Sequence, residues 1–98
     1  MPRFFKRAWE EPRGDQYDAW GTCVYYLQVD EQSYPERQLE VYSSGDVLAY
    51  DREHWSDEYG GLGDQPLDED DEWLACTSTA EEFEAAWASA KPRNRRTP

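Results

Sequence analysis

The chain's one histidine, His54, has an acid three residues to either side, Asp51 and Asp57, and Tyr59 lies five residues beyond it. Carboxylates at that spacing favour the imidazolium, which suits a pH-sensitive contact or a proton carrier. The same stretch is a poor nucleophile site. Ser56 sits in no G-x-S-x-G elbow, and neither Cys23 nor Cys76 lies in a recognised cysteine-nucleophile motif. The plainer reading is a loop histidine bonded to a neighbouring acid or carbonyl.

A second concentration follows. Asp64, Asp68, Glu69, Asp70, Asp71 and Glu72 place six carboxylates within nine residues, a density of oxygen that hard cations favour. An EF-hand loop counted from Asp64 fails, because Pro66 stands third and Glu69 stands sixth, where a ligand and a glycine are required. Zinc has only Cys23, Cys76 and His54, widely separated along the chain. The segment therefore reads as a solvated acidic loop or as a docking surface for a basic partner, and no metal or cofactor is expected.

The chain that must position these groups has 98 residues, the size of one domain, with a formal charge of -12. Residues 14–90 carry twenty acids against Arg37 and Arg52 alone, a net -18, between a mildly basic start and a basic end. Such a body repels nucleic acid and anionic membranes. Five Trp, seven Tyr and three Phe offset the shortage of aliphatics, since each buried ring removes about 150–250 Å² from water. Tyr17, Trp20, Trp55, Tyr59 and Trp73 fall near loops, where they either plug the core or form an aromatic contact patch with an acidic rim. No apolar run approaches a membrane span and the start lacks a signal-peptide apolar region, so a cytoplasmic protein with reduced thiols is expected.

Alternation predicts the elements. Residues 22–29 place Cys23, Tyr25, Leu27 and Val29 on one strand face, residues 37–42 read as a half-exposed strand, and residues 47–50 as a third. The turn residues between them make two hairpins, hence an antiparallel meander, with residues 3–9 as an additional strand and residues 72–77 as a short last one. Residues 54–71 have loop composition. Ser78 and Glu81 have capping-box spacing ahead of a helix whose stripe is Phe83, Ala86, Trp87 and Ala90, stopped by Pro92. The fold expected is α+β: an antiparallel meander of about four to five strands with one C-terminal amphipathic helix on one face, Trp87 closing the core. Residues 1–90 form the domain. Residues 91–98 form a basic tail, expected as a disordered arm that serves solubility, folds back onto the acidic body or makes a weak nucleic-acid contact.

Arg37-Gln38-Leu39-Glu40-Val41-Tyr42, then Gly45, Tyr50-Asp51, His54, Asp57-Glu58-Tyr59-Gly60-Gly61-Leu62 and Pro66-Leu67-Asp68, resembles a family of small acidic bacterial proteins without assigned activity. Its pattern is R-Q-I-E-V-Y, Y-D-x-x-H-x-x-D-x-Y-G-G-L and P-L-D. The likeness spans about residues 4–87 and departs around Trp73 to Thr77. Size and acidity also resemble immunity proteins of bacterial toxin systems. The resemblance implies no particular chemistry.

These readings predict a non-catalytic interaction module whose acidic, aromatic-studded face docks a basic protein, of the kind that neutralises a toxin. The expected contact set is Asp51, His54, Asp57, Tyr59, Asp64, Asp68 and Asp70. Two alternatives stay open: a small enzyme using His54 as general acid or base on a small molecule, and a mimic of duplex phosphates that occupies a nucleic-acid-binding protein. An exposed edge strand would also allow a homodimer.

Overall fold

Cross-strand pairing follows the alternation. In a computed structural model that describes residues 3–11, 13–63, 65–67 and 71–95, four strands pair in chain order as an antiparallel meander: β1 (Arg3–Trp9), β2 (Cys23–Val29), β3 (Pro35–Tyr42) and β4 (Val47–Asp51). A two-residue hairpin, β5 (Ser56–Asp57) with β6 (Gly60–Gly61), emerges from the segment expected to be loop. Two helices follow, α1 (Asp71–Leu74) and α2 (Ala80–Ser89), so the fold is α+β with its C-terminal helix against the sheet. The Cα radius of gyration is 12.9 Å, as expected for a compact chain of this length. Among the described residues no helix is long and apolar enough to cross a membrane.

The turns are specified locally. Asp30 Oδ1 accepts from the amides of Gln32 and Tyr34, which bends the chain from β2 into β3. The β3–β4 turn closes on Gly45, whose φ of 99° is a conformation that a Cβ would strain.

Register gives the sheet two unlike faces. Phe5, Leu27, Gln38 and Tyr50 form one cross-strand row, and Arg7, Tyr25, Glu40 and Leu48 form the next row on the same face. Lys6, Tyr26, Leu39 and Ala49 form a row on the opposite face, the side covered by α2. There Phe83 is buried, its ring 5.5 Å from that of Phe4. Trp87 stacks on Phe83 but stays half-buried beneath Arg37, so it does not close the core as expected.

Most burial lies on the face away from the helix. One cluster joins Phe5, Leu27 and Val29 to Leu67, with Trp73 and Leu74 against it. Another joins Cys23, Tyr42, Leu48 and Tyr50, with Trp20, Tyr25, Tyr59 and Leu62 packed on it. The loop aromatics therefore act mainly as core plugs, as their ring area favours; Trp55 alone among the five is well exposed, at 64 %. β3 is consequently not half-exposed. Gln38, Glu40 and Tyr42, the polar side of its alternation, are all buried, because loops cover the face that two-layer reasoning leaves to solvent.

Three further details depart from expectation. Residues 72–77 do not form a strand: α1 takes their first part and only Thr77 bridges to Phe5. The cap of α2 is Thr79, which accepts from the Glu82 amide, while Ser78 donates instead to the Glu82 carboxylate. At the basic end, where a disordered arm was expected, Arg93–Arg95 instead form a short 3-10 turn against β4.

Both outer edges of the sheet carry bonds. On β1, the Lys6 amide donates to the Cys76 carbonyl at 2.9 Å and the Ser78 amide to the Phe4 carbonyl at 2.8 Å. On β4, Asn94 imitates a strand: its Oδ1 accepts from the Ala49 amide and its Nδ2 donates to the Ala49 carbonyl, each at 2.9 Å. A second copy pairing at either place would have to displace these bonds.

Candidate functional site

The predicted site residues that can be placed converge at the end of β4. Asp51 Oδ1 accepts from the amides of Glu53 and His54, which turns the chain back toward the sheet. His54 Nε2 then lies 2.8 Å from Asp57 Oδ2, with about a third of the histidine side chain exposed. Asp57 is the hub. Its oxygens also accept from the Tyr50 hydroxyl at 2.9 Å, the Tyr59 amide at 2.8 Å and Asn94 Nδ2 at 2.9 Å. Burial works to raise its pKa, but the bonds from His54, Asn94, Tyr59 and Tyr50 outweigh that and hold the carboxyl below its ordinary range. Asp64, Asp68 and Asp70 lie outside the described residues.

This network is anchored in the fold, and its acids are spent on internal donors. Asp57 orients the His54 imidazole, as a general acid or base would require. Equally, the same bonds pin the β5–β6 hairpin to β4 and to Asn94.

From Tyr59 the polar chain continues to a second site that sequence reasoning missed. The Tyr59 carbonyl accepts from the Arg13 guanidinium, which also donates to the Tyr42 hydroxyl at 3.1 Å and pairs with Asp15 at 3.0 Å. Burial works against the Arg13 charge, yet the bonds to Asp15 and Tyr42 hold it on. Its guanidinium lies 5.2 Å from the Tyr17 ring and 5.7 Å from Trp20, cation–π distances both. The Tyr42 hydroxyl in turn donates to Glu40 Oε1 at 2.5 Å, and Gln38 Nε2 donates to Glu40 Oε2 at 2.7 Å. Gln38 is fixed by the β5–β6 hairpin, giving to the Gly61 carbonyl and accepting from the Gly63 amide.

Glu40 stands in the lining of a recess of about 300 Å³, together with Trp9, Tyr25, Tyr42, Tyr59 and the acids Glu11 and Asp15. Burial pushes the Glu40 carboxyl above its ordinary range. The Cys23 thiol, also in the lining, is pushed up to about 12 by burial and by the charge of Glu40, which leaves it protonated and a poor nucleophile. One signal in the sequence pointed here: Glu40 is in phase with Gln38 and Tyr42, and pairing sets it opposite Tyr25, which alternation groups with Cys23, Leu27 and Val29 on one strand face.

Among the described residues no group of three or more His, Cys, Asp or Glu side chains is placed to hold a metal ion. No protein-family model, curated protein or solved structure matches the chain.

Proposed function

We propose that the protein is a non-catalytic acidic interaction module that docks a basic protein, in the manner of a small neutralising partner of a toxin. The observation that carries this reading is how the cations are used. Lys6, Arg7, Arg13, Arg37, Arg52 and Arg93 each pair with an acid of the same chain: Glu82, Glu72, Asp15, Glu84, Asp30 and Asp46. These six of the ten positive charges are thereby matched internally, and the excess of acids leaves the chain net negative. Exposed Trp55 and the partly exposed Trp9, at 37 %, supply rings of the kind interfaces use. Complementary charge speeds encounter with a cationic surface and suppresses wrong partners.

The test is to capture binding proteins from the native cell at low salt with the full tagged chain, then purify the pair and measure Kd against ionic strength. The reading expects a basic partner whose affinity falls steeply as salt rises. Binding that is indifferent to salt, or a partner without a basic surface, contradicts it.

A further inference from the structure

Glu40 is 6 % exposed, and among the described residues no Lys or Arg forms an ion pair with it. Buried carboxylates are ordinarily matched by a cation or a metal, because solvation lost on burial must be replaced. The two donors that Glu40 receives, the Tyr42 hydroxyl and the Gln38 amide, are neutral. Arg13 shares the lining but is engaged by Asp15, Tyr42 and the Tyr59 carbonyl. The recess thus holds more negative than positive charge, with Glu11 adding to Glu40 once Arg13 and Asp15 are matched to one another.

The walls suit an organic cation rather than a bare ion. Trp9, Tyr25, Tyr42 and Tyr59 line the space, and Trp9 meets Tyr25 edge to face with ring centroids 6.3 Å apart. Ring faces attract ammonium and guanidinium groups. Arg13 already shows the compatibility, since its guanidinium lies 5.9 Å from the Tyr42 ring centroid. A volume of about 300 Å³ is at the small end of ligand cavities, room for one side-chain head group and its stem.

We propose that this recess receives a single lysine or arginine side chain of the basic partner, with Glu40 as its counter-charge and Trp9, Tyr25 and Tyr42 as the surrounding cage. The assignment rests on the docking reading above and names the point at which the partner is gripped. Glu11 guides the cation inward, the rings cover its aliphatic stem, and Glu40 meets the head group at the end of the path.

The experiment is a ¹H–¹⁵N NMR titration of the intact chain with n-butylammonium, n-butylguanidinium and neutral n-butanol at constant ionic strength. The two cations should shift the Trp9 indole and the Tyr25 and Tyr42 amides saturably, and butanol should not. Glu40→Gln and Trp9→Ala should each weaken the cations roughly fivefold or more, while Glu84→Gln on the helix side leaves them unchanged. Should Glu40→Gln fail to fold, the rim changes Trp9→Ala and Glu11→Gln give the same answer. Absence of saturable shifts, an equal response to butanol, or variants that bind like the parent would overturn the recess. A captured partner whose salt-sensitive binding survives Glu40→Gln and Trp9→Ala also overturns it, yet leaves the docking reading standing. If the small cations enter but no basic protein binds, the assignment to a partner's side chain fails.

Discussion

The Tyr42 hydroxyl donates to Glu40 Oε1 at 2.5 Å, joining two side chains two residues apart on the buried face of β3. That bond is the second link of a polar chain running from Gln38 through Glu40, Tyr42 and Arg13 to Tyr59, Asp57 and His54. It links the recess to the histidine network and fixes the loops that cover the sheet. The fold thus uses hydrogen bonds and rings where a chain richer in Leu and Ile would use aliphatic packing.

Glu40 sets one pH response. Burial raises its carboxyl above 4.5, with Tyr42, Gln38 and Arg13 offsetting only part, so the folded state holds this proton more tightly than the unfolded one. The stabilising contribution is full below 4.5 and is lost as pH rises through the higher folded value. Glu40→Gln removes that loss. Urea denaturation of both proteins should show the variant gaining on the parent as pH rises through this window; a pH-independent difference would contradict the assignment.

Asp57 responds in the opposite sense. Despite burial, its four donors hold the carboxyl below 3.8, so its contribution is present above that value and disappears as pH falls through the lower folded one. Asp57→Asn should destabilise the chain by about 2–3 kcal/mol at neutral pH, since an amide cannot accept all four bonds. The gap should close in acid. Denaturation midpoints that match the parent at neutral pH would show that the hub is dispensable.

Asn94→Ala should expose the edge of β4. Loss of two bonds to Ala49 and one to Asp57 costs about 1–2 kcal/mol, and the Ala49 amide should exchange with solvent at least roughly tenfold faster. Hydrogen exchange read by NMR decides this. Unchanged protection at Ala49 would mean that another group covers the edge.

Sequence made the meander legible because Cys23, Tyr25, Leu27 and Val29 alternate cleanly and turn residues stand between the strands. It was less informative where one or two residues do the work of an element. Cys76 and Ser78 close one edge with the two backbone bonds around the Thr77–Phe5 bridge and Asn94 the other with one side chain, and neither contact has a period to detect. Glu40 was passed over because alternation reports two faces, one dry and one wet, whereas here both are covered. Arg13 registered only as charge, since its partners Tyr42 and Tyr59 are 29 and 46 residues away. The cluster of Asp51, His54, Asp57 and Tyr59 was found because its acids flank a lone histidine at short range.

Charge on the recess should also affect how quickly a partner arrives. Neutralising Glu11 and Asp15 together, by Glu11→Gln with Asp15→Asn, should slow association with the captured partner several-fold at low salt, through reduced steering toward the recess. Stopped-flow measurement on matched concentrations checks it. An unchanged rate would place the steering charge elsewhere on the body.

The most direct test of the whole account is the association rate constant of the purified pair, followed by stopped-flow from low to high ionic strength. An acidic body built to grip a cationic partner predicts a fall of about tenfold or more, with the dissociation rate changing much less. A flat association rate across that range would contradict it.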